Sequence, residues 1–229
     1  MRKPTPEKQR LINRNFRHWP VHIVYREADS LPWAAVNVIA EDLKAELEPL
    51  ALRYPSYQTP NHPDRSDYRI AVSEVREYYQ NEFDEALHRF RSSPMRFNDL
   101  RAQQIIIDSW QHLAKKHNLE VFLVCVMGNH VHVLLMHRQT DGCAAFKPIM
   151  GEHRRWVSRQ IKPLLGNPTP RTWARGAFDR DVRPGTFWRV VHYILQNPVK
   201  AGIVKDPFAY TGTWINPSLL EQLREMEWI

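Results

Sequence analysis

Two apolar runs separated by two residues constrain the fold of this chain more than any other feature. The runs span residues 119–127 and 130–137, and a Gly-Asn dipeptide lies between them. Such a two-residue spacing is typical of a tight β-hairpin with antiparallel strands. Because side chains alternate between the two faces of a strand, His130 and His132 are expected to project from the same face.

Two imidazoles that project together from one strand can hold a divalent metal ion. The pattern alone is a weak signal, since the chain contains 11 His among 229 residues and chance supplies roughly half a His-x-His pair. Val131 and Val133 alternate with the histidines and are expected to face a core. The weight of the pair therefore depends on the other residues that the chain supplies.

The remaining pattern predicts an α+β fold with a mainly antiparallel sheet. The segment 173–183 is expected to be irregular. Helical spacing or strand alternation predicts one further strand and five helices: strand 21–26 and helices 36–52, 74–90, 100–117, 146–161 and 186–197.

The order of these elements predicts three parts of the chain. Residues 1–20 are basic and are expected to form an N-terminal arm. A single domain is expected over 21–205, with a helical insertion at 33–98, and the C-terminal tail covers 206–229. Neither a disulfide framework nor a zinc site is expected from Cys125 and Cys143. No apolar stretch has the length of a membrane span, so we expect a soluble cytoplasmic protein.

The positive charge of the chain is concentrated in one segment. The net charge is +7, and residues 147–205 carry 12 Lys and Arg against 3 Asp and Glu. Such a segment favours a polyanionic partner, because basic side chains release condensed counterions from phosphates. A solvated basic face without a partner is the alternative. His153 is expected at the surface or in contact with a phosphate. The candidate DNA contacts are Arg154, Arg155, Arg159, Arg183, Arg189 and Lys200.

The last predicted helix carries a tyrosine and an amide on one face. Tyr193 and Asn197 are four residues apart, which places them on the same side of a helix. An amide oxygen could complete a metal site with the His pair, and the tyrosine hydroxyl could attack a phosphorus atom. The alternative is a half-buried helix tyrosine followed by an Asn cap before Pro198.

Four segments resemble the REP-associated tyrosine transposases, a family of single-tyrosine HUH transposases. The hairpin segment 126–135, VMGNHVHVLL, resembles their HUH segment, and 193–204, YILQNPVKAGIV, resembles their nucleophile helix. Residues 21–32 are similar to their first strand, and 178–183 are similar to the segment before the tyrosine helix. The matches occur in the order of the family and cover most of residues 20–205.

The resemblance implies a ferredoxin-like sandwich with helices on one side of the sheet. It also implies His130 and His132 as metal ligands, Asn197 as the third ligand and Tyr193 as the nucleophile. It implies Mg²⁺ or Mn²⁺ as the metal. The implied reaction cleaves single-stranded DNA at palindromic REP hairpins through a 5′-phosphotyrosine intermediate, followed by strand transfer. A monomer or homodimer associated with the bacterial nucleoid is expected.

The chain departs from the family pattern in few places. Gly128 stands where the family usually has proline, and Leu195 replaces a more polar residue. Gln196, three residues after Tyr193, is an alternative amide ligand, although it points in a different direction on the helix. Alternative functions are a domesticated hairpin-binding regulator without catalysis, an HUH nuclease of replication origins or plasmid transfer, and an RNA target.

Overall fold

The computed structural model describes residues 15–90, 95–164 and 171–228. The chain divides into two compact units, one formed by 1–28 together with 95–229, and the other by 29–94. Most of the expected basic arm lies outside the described residues. Within them, no helix is long and apolar enough to cross a membrane.

The first unit contains the sheet and five of the helices in the part of the chain that is described. Its short strands at 15–16 and 144–145 pair with each other. Its strands are β1 (Asn15–Phe16), β2 (Val21–Arg26), β3 (Leu119–Val126), β4 (His130–His137), β5 (Ala144–Ala145), β6 (Phe178–Asp181) and β7 (Thr213–Ile215). Its helices are α3 (Leu100–Lys116), α4 (Phe146–Ile161), α5 (Phe187–Leu195), α6 (Asn197–Lys200) and α7 (Pro217–Glu225).

The main sheet has five strands in the order β6-β2-β4-β3-β7, and all neighbouring pairs are antiparallel. The elements β2, α3, β3, β4, α4 and β6 follow one another as a βαββαβ unit, which is the ferredoxin-like arrangement. The α+β class and the antiparallel sheet are therefore confirmed. Helices α3 and α4 both pack on one face of this sheet, around Ile106, Trp110, Ile149 and Val157.

The second face of the sheet is also covered by helices, which the expectation of helices on one side did not include. Val190, Val191 and Ile194 of α5 pack there with Leu219 and Leu223 of α7. Apolar side chains point to both faces of the central strands, so each face requires a cover. This second layer is the one that carries the tyrosine helix.

Two segments are more regular than their sequence suggested. Residues 173–183 were expected to be irregular, and this is wrong at 178–181, where β6 pairs with β2 at the edge of the sheet. Its sequence, FDRD, lacks the apolar alternation of a half-buried strand. The expected tail 206–229 contributes the opposite edge strand β7 and the helix α7.

The second unit, 29–94, is helical, as expected for the insertion. Its two helices are α1 (Trp33–Arg53) and α2 (Pro63–Arg89), and both are longer than the apolar spacing predicted. Proline at the first position of α2 suits a helix start, because its missing N–H would have no partner there. The connecting loop is closed by a bond from the Ser56 amide to the Asp64 carboxylate, 3.0 Å long.

Candidate active site

The antiparallel register places three histidines on one face of the main sheet. Val24 of β2 lies opposite His132 of β4, and His22 lies opposite Leu134. Residues two apart in a strand share a face, so His22, His130 and His132 all project toward the layer formed by α5 and α7. The two predicted metal-binding histidines therefore lie under the helix that carries the predicted nucleophile.

The side chains of His130 and His132 are adjacent, with ring centroids 4.9 Å apart. Both side chains are buried. The Nδ1 atom of His130 lies 2.7 Å from the amide oxygen of Asn129. Because an amide oxygen only accepts hydrogen bonds, His130 donates through Nδ1, and its lone pair is then at Nε2. A metal bound to His130 would therefore be held through Nε2.

His22 is a third member of this cluster, and sequence reasoning missed it as a site residue. Its Nε2 atom lies 3.1 Å from Nδ1 of His132, and the two rings stack with an interplanar angle of 20°. Burial lowers the pKa of His22 well below its usual value, and the positive charge of Arg180 adds to this effect. His22 is therefore neutral at neutral pH. The alternation of apolar residues in β2 predicts that His22 faces away from the core. It does not predict that His22 lies beside His132.

Tyr193 packs over the histidine cluster. The centroid of its ring lies 6.1 Å from that of His22 and 6.2 Å from that of His132, in edge-on geometry with both. The helix α5 is positioned by its apolar face, because Val190, Val191 and Ile194 are buried against the sheet. The fold thus brings together side chains that are 61 or more positions apart in the sequence. The Tyr193 side chain itself is half-buried.

The predicted helix 186–197 is wrong at its end, because Asn197 does not continue the tyrosine helix. That helix ends at Leu195, and Asn197 begins the separate short helix α6. Its side-chain nitrogen donates to the carbonyl oxygen of Tyr193 at 2.9 Å. Asn197 is buried, and its side-chain nitrogen is engaged by the carbonyl at the end of the helix. The predicted ligand role therefore falls to its amide oxygen.

Lys200 is the predicted DNA-contact residue that lies directly beside Tyr193, the predicted nucleophile. Its Nζ atom is 4.7 Å from the centroid of the Tyr193 ring, within the range of a cation–π contact. The Lys200 side chain is exposed. Arg189, another predicted contact, is exposed and lies one helical turn before Tyr193. Arg183 follows β6 and is half-buried.

The three arginines predicted on α4 lie in the other layer. Helix α4 packs on the sheet face opposite to Tyr193. Arg155 and Arg159 are exposed there. Arg154 is half-buried, and its guanidinium donates to the carbonyl of Gly176 and lies 5.8 Å from the centre of the Tyr25 ring.

Two arginines on the histidine face were not among the predicted contacts. Arg26 lies opposite His130 in the register of β2 with β4, and Arg180 of β6 lies opposite His22. Both positions share the face of the histidine cluster. Their shared position follows from the strand register, since the two arginines are 154 residues apart in the sequence. They add positive charge next to the candidate site.

His153 was expected at the surface, and this is wrong. The ring is fully buried and bonds to the Tyr25 hydroxyl at 2.7 Å and to the Ser109 hydroxyl at 2.8 Å. Burial lowers its pKa to about 3. The indole of Trp110 donates to the Tyr25 hydroxyl at 2.9 Å. This polar network belongs to the core on the opposite side of the sheet, where each group is satisfied by another.

A side chain at Gly128, in the turn that precedes His130, would require neighbouring side chains to shift. A Cβ atom at Gly128 would lie 2.6 Å from both the Asn98 side-chain oxygen and the Met95 sulfur. Next to this turn, the buried Glu27 carboxylate pairs with Arg96 at 2.6 Å. The backbone N–H of Glu27 donates to the Asn129 carbonyl at 2.8 Å. The glycine that departs from the family pattern therefore fits its own surroundings.

The donor set at this site is compatible with a divalent metal ion. Two neutral imidazoles with Nδ1 engaged would present Nε2, and an amide oxygen is a suitable third donor. Among the described residues, no group of three or more His, Cys, Asp and Glu side chains could hold a metal ion. A metal site here would therefore depend on the His pair together with a neutral oxygen. Imidazole donors favour Mn²⁺ over Mg²⁺, because Mg²⁺ prefers an all-oxygen shell.

The similarity of the chain to known proteins lies in its fold. No protein-family model matches it, and no curated protein matches it either. One solved structure that is similar is that of a REP-associated tyrosine transposase bound to a REP hairpin. The TM-score is 0.44 at 12% sequence identity, over 92% of this chain and 80% of that chain. At this level, the likeness assigns no role to any residue.

Proposed function

We propose that this chain is a metal-dependent endonuclease and strand transferase for single-stranded DNA. It cleaves palindromic, REP-like hairpins through a covalent 5′-phosphotyrosine intermediate at Tyr193. The observation that carries this proposal is the packing of Tyr193 over His132, the second histidine of the His-Val-His motif, at 6.2 Å between ring centroids. A nucleophile and a metal-binding pair are the two parts that such a reaction needs.

Tyr193 performs the first chemical step. Its hydroxyl oxygen attacks the scissile phosphorus and loses its proton to the solvent, so that a Tyr–O–P bond forms. The bond from phosphorus to the 3′ oxygen of the preceding nucleotide breaks, and that oxygen leaves with the electron pair and takes up a proton from the solvent to become a 3′-hydroxyl. The downstream strand remains attached to Tyr193 through its 5′ phosphate. In strand transfer, a 3′-hydroxyl attacks this phosphorus and the tyrosine leaves.

His130 and His132 would hold the metal ion through Nε2, with the amide oxygen of Asn197 as the proposed third donor. A bound divalent cation would withdraw charge from the phosphate oxygens and orient the scissile phosphate. The ring of His130 is held in one orientation, since Asn129 accepts a hydrogen bond from its Nδ1. A ligand that is already oriented lowers the free-energy cost of assembling the site around the metal and substrate.

Lys200 and the arginines on the same face would neutralise the DNA backbone around the nucleophile. Lys200 lies 4.7 Å from the Tyr193 ring, so a phosphate positioned for attack would lie within reach of its ammonium group. Arg26 and Arg180 are placed on the histidine face by the strand register. Positive charge fixed around a reacting phosphate stabilises the charge that develops during transfer.

Covalent capture of DNA tests this proposal. The full chain is incubated with Mn²⁺ and hairpin deoxyoligonucleotides that carry a single-stranded flank and a label at the 3′ end. The label should move into a protein–DNA adduct that survives denaturation, and Tyr193→Phe should abolish the adduct while hairpin binding is retained. Tyr78→Phe, at an exposed tyrosine, is the matched control. Hairpin binding without any adduct would contradict catalysis and support a regulatory DNA-binding protein.

A further inference from the structure

His22 contacts His132, one of the two proposed metal ligands. The contact is made at Nδ1 of His132, the ring nitrogen that is not expected to bind the metal. The Nε2 atom of His22 is 3.1 Å from Nδ1 of His132, and both side chains are fully buried. We infer that His22 is a positioning residue that fixes the tautomer and orientation of His132 for metal binding through Nε2. This inference rests on the proposed function, because it assigns His132 as a ligand.

The hydrogen-bond pattern follows from the ligand role of His132. A neutral imidazole that offers its Nε2 lone pair to a metal carries its proton at Nδ1. That proton can be donated to Nε2 of His22, which is then the accepting nitrogen. His22 in turn carries its own proton at Nδ1. Metal-binding histidines commonly donate their second N–H to such an acceptor, which fixes the ring and increases the basicity of the ligating nitrogen.

The two ligands are oriented by two different acceptors. His130 donates to the amide oxygen of Asn129, its neighbour in the sequence. His132 has no such neighbour, because Val131 and Val133 point to the opposite face, and its acceptor comes from the adjacent strand. His22 supplies this acceptor because β2 pairs with β4, with His22 two residue pairs farther along the ladder than His132. The acceptor is therefore a product of the fold.

A direct ligand role for His22 is disfavoured by the same contact. The nitrogen that faces the cluster, Nε2, is engaged with His132 at hydrogen-bond distance. Its single lone pair cannot accept a hydrogen bond from that N–H and coordinate a metal at the same time. The ring of His22 also stacks almost parallel to that of His132, with 5.4 Å between centroids. In this arrangement His22 contacts the His132 ring at Nδ1, away from the proposed ligand atom Nε2.

Substitution of His22 by residues that do or do not accept a hydrogen bond tests this role. Phe keeps the aromatic ring without an acceptor, whereas the side-chain oxygen of Gln reaches about as far as Nε2 of His. In His22→Phe, the affinity for Mn²⁺ is expected to fall by about 10- to 100-fold. In His22→Gln, it is expected to stay within about threefold of the parent protein, because the acceptor is restored. Titration calorimetry or Mn²⁺ electron paramagnetic resonance measures both.

The tautomer of His132 gives a second readout that needs neither metal nor DNA. Long-range ¹H–¹⁵N correlation spectra of the histidine rings should show His132 protonated at Nδ1 in the parent protein and in His22→Gln. The Nε2-protonated form should appear in His22→Phe. An Nε2-protonated His132 in the parent protein, or equal Mn²⁺ affinity in His22→Phe, would overturn the inference. If His22→Phe does not fold, the parent tautomer and His22→Gln still decide.

Failure of the inference and failure of the proposed function give different results. Mn²⁺ binding that depends on His22, in a chain that forms no DNA adduct, would overturn the proposed function and leave the role of His22 intact. An adduct formed with unchanged Mn²⁺ affinity in His22→Phe would overturn only the inference. His130→Ala, which removes a proposed ligand, provides the reference for complete loss of the site.

Discussion

The ammonium group of Lys200 lies 4.7 Å from the centre of the Tyr193 ring. Two short helices meet at this point, since Tyr193 belongs to α5 and Lys200 ends α6. The break between them at Gln196 turns the chain so that the lysine faces the tyrosine. A cation thereby lies over the ring of the tyrosine whose hydroxyl is proposed to attack a phosphate.

Loss of this cation should slow cleavage. Lys200→Gln is expected to reduce the single-turnover rate of adduct formation by about tenfold, because positive charge near the developing phosphate charge is removed. Lys200→Arg keeps the charge and should retain most of the rate. Quenched-flow gels with saturating hairpin DNA measure this directly. Equal rates in Lys200→Gln and Lys200→Arg would show that the charge plays no part.

Asn129 is expected to control the metal affinity of His130. Asn129→Leu removes the oxygen that accepts from Nδ1 of His130, and the affinity for Mn²⁺ should fall by about 10- to 100-fold. Asn129→Asp keeps an acceptor and should bind Mn²⁺ at least as well as the parent protein. Calorimetric titration with MnCl₂ tests both variants. An unchanged affinity in Asn129→Leu would exclude this supporting role.

The arginines on α4 are expected to affect DNA binding but not the chemical step. Arg155 and Arg159 are exposed in the layer opposite to Tyr193. The double substitution to Ala should weaken hairpin binding at 50–200 mM salt and reduce the salt dependence of binding, by about 0.7–0.9 in the log–log slope for each lost phosphate contact. The single-turnover rate at saturating DNA should stay the same. A change of rate without a change of affinity would contradict this assignment.

Buried His153 should make the protein sensitive to acid. Its pKa is about 3 in the folded chain and about 6.5 in the unfolded chain. Between these values only the unfolded state binds the proton, so the free energy of unfolding falls as the pH decreases from about 6.5 to about 3. His153→Gln should reduce this slope by up to about 1.4 kcal/mol per pH unit. Urea unfolding at several pH values measures it, and equal slopes would refute the prediction.

The hairpin and helix α4 could be predicted from the sequence because their patterns are local. Strand β4 and helix α4 begin and end at the predicted residues, 130–137 and 146–161. Alternating or helically spaced apolar residues fix such elements without knowledge of their partners. The edge strand β6 has no comparable pattern, and it is a strand because β2 offers a free edge for pairing.

The candidate site was predictable only in part. The His pair and Tyr193 stand out as residue types with a chemical role at a recognisable spacing. His22 does not, since its position beside His132 depends on the antiparallel register of β2 with β4, which is a tertiary property. The burial of His153 has the same origin: only the packing of α4 on the sheet places it next to Tyr25.

Mapping the attachment site of a DNA adduct tests the central claim most directly. The full chain is reacted with Mg²⁺ or Mn²⁺ and hairpin deoxyoligonucleotides that copy palindromic repeats flanking its gene, and the adduct is digested with nuclease and trypsin. Mass spectrometry should find a nucleotide linked through its 5′ phosphate to Tyr193, with a free 3′-hydroxyl on the released strand. An adduct at another residue, or no adduct on any of these hairpins with either metal, would contradict the account.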